Sequence, residues 1–158
     1  MITEVRIRSR KDMQQEAYVI DKPCFIISIH DLDKYPIQFP VNHEIRDAKS
    51  FAFEDIDDAS DLTSISNEDA RNIANYVRKY ADKSEELICY VNCEAGLSRS
   101  AGVAAAISKY FLGDDSWVFK TKYPNMLCYR RVLEALHTDP NAEAVDDVLE
   151  SIRNQEID

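Results

Sequence analysis

Residues 87–113, LICYVNCEAGLSRSAGVAAAISKYFLG, restrict the architecture more than any other part of the chain. The opening LICYV is apolar without alternation. A strand with one wet face alternates apolar and polar residues, so an unbroken apolar run of strand length belongs to a strand covered on both sides, as in a parallel sheet. Residues 100–112 (SAGVAAAISKYFL) are rich in small apolar side chains and end at Gly113, a residue suited to the turn that follows a helix. They read as a buried central helix. Parallel strands need long crossovers, and helices supply them, so the segment points to an α/β layer structure.

Other segments fit that frame. Residues 24–29 (CFIISI) form a second unbroken strand-like run and residues 50–53 (SFAF) a third, with candidate edge strands at 5–7 and 18–20. Between SFAF and LICYV, Ser66 and Asp69 make a capping box. Ala70, Ile73, Val77 and Tyr80 then recur at helical spacing, which predicts a helix with one face on the sheet. Further helices are predicted at 116–120, 126–136 and 142–154. Residues 31–49 fit neither period, carry two prolines and read as a loop, an ordinary connection or else the border of a site. Sparse punctuation, three glycines and five prolines in 158 residues, leaves no linker. The expectation is one α/β domain over 1–158, with a central, mostly parallel sheet of four to five strands flanked by helices.

Charge and cysteine usage narrow the function. Nineteen Lys and Arg against twenty-nine Asp and Glu give a formal charge of −10, so the mean field repels nucleic acid and anionic membrane, and neither is expected as a partner. An anionic ligand has to be captured locally. The start, MITEVRIRSRK, lacks the apolar core of a signal peptide, and no apolar run reaches the roughly eighteen residues of a membrane span; the expectation is a cytoplasmic protein. Cys24, Cys89 and Cys128 read as small buried hydrophobes. His30, His43 and His137 lack metal-ligand spacing, and no metal or cofactor is expected.

Cys93 is different because of where it stands. Cys93, five further residues and Arg99 join the buried strand to the buried helix. Successive amides in such a turn can converge on one point, and the helix start adds the positive end of its dipole. Gly96 permits a positive φ angle or a close backbone approach. Phosphate or another oxyanion there would meet the backbone of Glu94, Ala95, Gly96, Leu97 and Ser98 and the planar fork of Arg99. The same field favours the thiolate of Cys93, the nucleophilic form. The side chain of Glu94 is expected to face solvent, where it would select against acidic substrates.

With these residues, CEAGLSRS resembles the phosphate-binding loop of the cysteine-based protein tyrosine phosphatases, and among them the small dual-specificity type. The match lies at Cys93, Gly96, Arg99 and Ser100, and weaker likeness runs from Phe25 to Leu136, including the YPN of residues 123–125. The resemblance implies a phosphatase-like fold and a phosphocysteine intermediate formed on Cys93, with Ser100 hydrogen-bonded to the sulfur. It also implies a general-acid Asp on a loop about forty residues earlier, where FAFEDIDDAS lies. Asp55 takes that place in preference to Asp57 or Asp58. One departure is Asn92, where the family has His buttressing the loop.

The function so implied is hydrolysis of phosphotyrosine, with phosphoserine and phosphothreonine as further substrates, in proteins or peptides. Two alternatives stand beside it: a phosphatase for a non-protein phosphate ester, and a phosphate- or phosphopeptide-binding module with weak turnover. The first calls for basic residues that the loop lacks, and the second has no need of the thiol.

Overall fold

The computed structural model describes residues 1–138 and Pro140. Its elements run β1 (Ile2–Ser9), α1 (Arg10–Glu16), β2 (Cys24–His30), β3 (Ile45–Ala52), α2 (Asn67–Ala81), β4 (Leu87–Cys93), α3 (Arg99–Leu112), α4 (Ser116–Thr121) and α5 (Met126–His137). The helix expected at 142–154 lies outside the described residues.

The four strands form one sheet in the order β1-β4-β2-β3, and every pairing is parallel. The two runs without alternation, β2 and β4, are the central strands, and all of their residues are buried. Period two separates the faces. Leu87, Cys89, Val91 and Cys93 join Phe25, Ile27 and Ile29 in the larger core, which α2, α3 and α5 cover. Ile88, Tyr90, Cys24 and Ile26 face the other way and pack with Met13 of α1, Ile20 and Ile37. Burial pushes the Cys24 thiol up to about 12 and raises those of Cys89 and Cys128 as well, so these three cysteines stay protonated and act as small hydrophobes.

Helix α2 begins where the capping box predicted: the Ser66 hydroxyl accepts from the Asp69 amide, and the Asp69 carboxylate accepts from the Ser66 amide. Helix α3 ends at Gly113 with φ 80°. Gly102 has a packing role. A Cβ there would lie 2.4 Å from the Asn125 carbonyl oxygen and 2.9 Å from the Cys128 Cβ, so only hydrogen lets α3 touch the start of α5. Among the described residues no helix is long and apolar enough to cross a membrane.

Two local expectations need correction. Residues 18–20 are not a strand but the turn after α1, with Tyr18 and Val19 exposed and Ile20 buried. In their place the chain forms the short helix α1, started by Ser9, whose hydroxyl accepts from the Asp12 amide. The loop placed at 31–49 ends earlier, because β3 begins at Ile45. That strand was hard to see because it is an edge strand with exposed charged residues, which protect an open edge from further pairing. Lys49 also covers apolar surface, with its ammonium 5.6 Å from the Phe51 ring centre and 5.7 Å from that of Tyr76. Arg131 of α5 donates to the Ile65 carbonyl at 2.7 Å.

Phe25 sits at the centre of the larger core, fully buried, stacked on Tyr80 at 4.8 Å between ring centres and edge-on to Tyr76 at 5.9 Å. Phe25→Ala is expected to lower stability in urea unfolding by about 3–5 kcal/mol. A loss below about 1 kcal/mol would mean that this cluster can collapse around the missing ring.

Candidate active site

The turn from Cys93 to Arg99 lies at the carboxyl edge of the sheet, where ligands of open parallel α/β sheets collect. Cys93 is the last residue of β4 and Arg99 the first of α3. The Cys93 Sγ is 3.0 Å from the Ser100 Oγ, both buried.

The carbonyls of the turn are tied outward. Glu94 O accepts from the Arg10 amide at 3.1 Å, Leu97 O from Tyr123 at 3.0 Å, and Ser98 O from both Gly102 and Asn125 at 2.9 Å. Every peptide bond among the described residues is trans, so each such carbonyl sends the next residue's N–H in the opposite direction, toward the inside of the turn. Ser98 occupies the N-cap of α3 without capping it, and its hydroxyl turns to Asp55 instead. The first amides of α3 are therefore left for a ligand. Gly96 meets both expectations: its φ is +71°, and a Cβ would fall 2.6 Å from the Ser9 nitrogen and 2.7 Å from the Arg8 carbonyl carbon. The turn thus rests directly on the β1–α1 junction.

Arg99 is only 4% exposed. Its Nη1 donates to the Phe53 carbonyl at 2.8 Å and forms an ion pair with Asp31 Oδ1 at 2.7 Å, while its buried Nε has no hydrogen-bond partner among the described residues. Asp55 faces the turn, and its Oδ1 accepts from Ser98 Oγ at 2.7 Å and Asn125 Nδ2 at 3.0 Å. Asn125 also donates to the Ile56 carbonyl at 3.2 Å, and its Oδ1 caps α5 by accepting from the Cys128 amide.

These groups border a hollow of about 430 Å³. Cys93, Ala95, Ser98 and Arg99 of the turn line it together with Asp55 and Ile56, and Asp31, Glu54 and Glu94 add carboxylates. The three aspartates after β3 are thereby told apart. Asp57 borders the adjoining hollow beside Tyr123 and not this one. Asp58 is spent on a turn: bonds from the Ser60 amide and hydroxyl hold its carboxyl below its ordinary value. Among the described residues no three His, Cys, Asp or Glu side chains gather as a metal ion would need.

Sequence reasoning missed two groups. Asp31 lies in an aperiodic stretch, but it directly follows a buried parallel strand, and that position alone could have marked it. Asn125 was noted as part of YPN, without its hold on Asp55. Asn92 does less than a buttress should. It is fully buried, and neither its Nδ2 nor its Oδ1 has a partner among the described residues; Ser28, its register partner on β2, is in the same condition.

No protein-family model matches the sequence, and no curated protein matches it. Solved structures do resemble the fold. PTPMT1, crystallised in complex with PI(5)P, superposes with a TM-score of 0.53 at 12% identity, over 85% of this chain and 90% of that one. A second structure of PTPMT1 gives 0.49 at 16% identity over 90% and 95%. Tk-PTP in its active form gives 0.45 at 16% over 94% and 92%. The first of these shows a phosphatase-like α/β fold, in keeping with the resemblance read from CEAGLSRS.

Gly96→Ala is expected to weaken inorganic phosphate binding by about tenfold or more, because a side chain at this φ costs roughly 1–3 kcal/mol before the clash with Ser9 is counted. The phosphate-induced rise in melting temperature measures it. An unchanged rise would show that the turn does not need its observed shape.

Proposed function

We propose that this protein is a cysteine-dependent phosphomonoesterase whose substrate is phosphotyrosine in proteins or peptides, with phosphoserine and phosphothreonine as weaker substrates. One observation carries the reading: a buried thiol and a buried guanidinium, at the two ends of one turn, share a hollow with the Asp55 carboxylate. A binding site for phosphate alone would use the amides and Arg99. It would have no use for Cys93, for Ser100 at 3.0 Å from its sulfur, or for Asp55.

The chemistry runs in two displacements. The Cys93 thiolate attacks phosphorus in line; the bond from phosphorus to the ester oxygen breaks, and Asp55 gives its proton to that oxygen as it leaves. Water then attacks the phosphocysteine, Asp55 takes a proton from it, and the sulfur leaves as thiolate while the Ser100 hydroxyl donates to it. The inward amides and Arg99 hold the equatorial oxygens throughout both steps.

The walls favour a protein substrate. Ile56 offers an apolar surface beside the turn, suited to an aromatic ring. PTPMT1 was crystallised with PI(5)P, which makes a phosphoinositide the second reading. Asp31, Glu54 and Glu94 speak against it, since a headgroup with further phosphates would meet these carboxylates and no cation of the turn other than Arg99. Four buried, unpaired cysteines are suited to the reducing cytoplasm, where we place the protein.

Aryl phosphate hydrolysis tests the reading. Turnover is expected to survive chelator, to be inhibited by vanadate and to vanish in Cys93→Ser. Asp55→Asn should lower kcat by about 10²–10⁴-fold, while Asp57→Asn and Asp58→Asn leave it unchanged. Phosphate binding without turnover would turn the protein into a binding module. A soluble phosphoinositide cleaved faster than a phosphotyrosine peptide would transfer the substrate to lipids.

A further inference from the structure

A phosphotyrosine enters a catalytic hollow with its neighbours in the chain attached, and those neighbours settle on whatever borders the entrance. The hollow at Cys93 takes a phosphoryl group on the evidence of Arg99 itself, which is 4% exposed and has a buried Nε without a partner among the described residues. The surroundings have the opposite sign. Among the described residues, Arg99 is the single Lys, Arg or His that borders this hollow or the adjoining one, against Asp31, Glu54, Asp55, Asp57 and Glu94.

The adjoining hollow measures about 270 Å³ and is lined by Asp55, Asp57, Ser98, Tyr123, Pro124 and Asn125. Asp55 and Ser98 border both hollows, which meet at the 2.7 Å hydrogen bond between them. Residues of an extended chain advance by about 3.3–3.6 Å each, so a side chain in the second hollow belongs to a near neighbour of the phosphoresidue. Asp55, Ser98 and Asn125 are spent on one another. The side chains of Asp57 and Tyr123 have no hydrogen-bond or ion-pair partner among the described residues, and Tyr123 is 80% exposed.

We propose that the adjoining hollow is a substrate subsite for a basic side chain, arginine before lysine, so that the preferred substrate is a phosphotyrosine flanked by such a residue. The inference rests on the phosphatase reading above. A carboxylate and an aromatic ring on one hollow are complementary to a guanidinium, which pairs with the first through its N–H groups and stacks on the second through its plane. An acidic side chain would meet like charge there. The frame of the subsite is fixed. Tyr123 donates its amide to the Leu97 carbonyl at 3.0 Å, and the Ile56 carbonyl, in the peptide bond to Asp57, accepts from Asn125 at 3.2 Å. The three aspartates after β3 then have separate tasks: Asp55 borders the chemistry, Asp58 holds its own turn with Ser60, and Asp57 selects the substrate.

The test measures kcat/KM on phosphotyrosine peptides that differ only in one flanking residue, Arg, Ala or Glu, placed before or after the phosphotyrosine. The ratio of two peptides within one variant cancels any change in the chemistry itself. In the wild type the Arg peptide is expected to exceed the Ala peptide by about five- to tenfold on one of the two sides, with the Glu peptide lowest, and the advantage should shrink as salt is raised. Asp57→Asn and Tyr123→Ala should each cut the Arg-to-Ala ratio by about two- to fivefold, and Asp57→Lys should bring it below one. The proposal falls if the wild type does not prefer the Arg peptide, if Asp57→Lys keeps the preference, or if Tyr123→Ala retains the full ratio. Cys93-dependent turnover that ignores the flanking residue overturns this inference alone. A wild type without turnover of any of these peptides brings down the phosphatase reading first, and this inference with it.

Discussion

A guanidinium sealed from water has to be given acceptors, and much of this structure is arranged around that requirement. Arg99 opens the central helix α3, with its side chain buried beneath the turn that ends β4. Its acceptors come from the carboxyl ends of the two neighbouring strands, the Asp31 carboxylate just beyond β2 and the Phe53 carbonyl just beyond β3. Three successive strands of the order β4-β2-β3 thus end on one cation. Parallel pairing makes this possible, because only a parallel sheet brings three consecutive strand ends to the same edge.

The fourth strand contributes by contact. Gly96 lies so near the Arg8–Ser9 peptide that no side chain fits between them, and Arg10 ties its amide to the Glu94 carbonyl. Ser9 is at once the end of β1, the register partner of Cys93 and the N-cap of α1. The first ten residues are therefore part of the frame of the site, although none of them carries its chemistry. The back of the turn is less well supplied. Asn92, which precedes the nucleophile on β4, and Ser28 bury three polar atoms that have no partner among the described residues, and each such group costs stability.

What the sequence revealed follows from how local each signal is. The run from Leu87 to Gly113 carries its own strand, turn, helix and stop, so the turn and its Cys93, Gly96, Arg99 and Ser100 could be placed from residues adjacent in the chain. The capping box at Ser66 is similarly local. Asp55 needed a family resemblance, because nothing in FAFEDIDDAS separates three aspartates until the fold shows which of them borders the hollow. Asp31 was out of reach because its partner is 68 positions away in the chain and its neighbours have no period. Helix α1 was missed since a single buried residue, Met13, sets no pattern, and the first half of β3 because an edge strand with exposed charges reads like a loop.

Asn125 has a consequence for how the site moves. Its carboxamide oxygen ends the amide ladder of α5, while its nitrogen holds both the Asp55 carboxylate and the Ile56 carbonyl; Ser98 grips the same carboxylate from the turn. The segment bearing Asp55 is clasped between two helix starts and is not hung from a hinge. Swinging it outward would break three hydrogen bonds, so it is coupled to the rigidity of the scaffold. A visiting ester finds the catalytic geometry already assembled, and specificity has to come from the shape of the doorway.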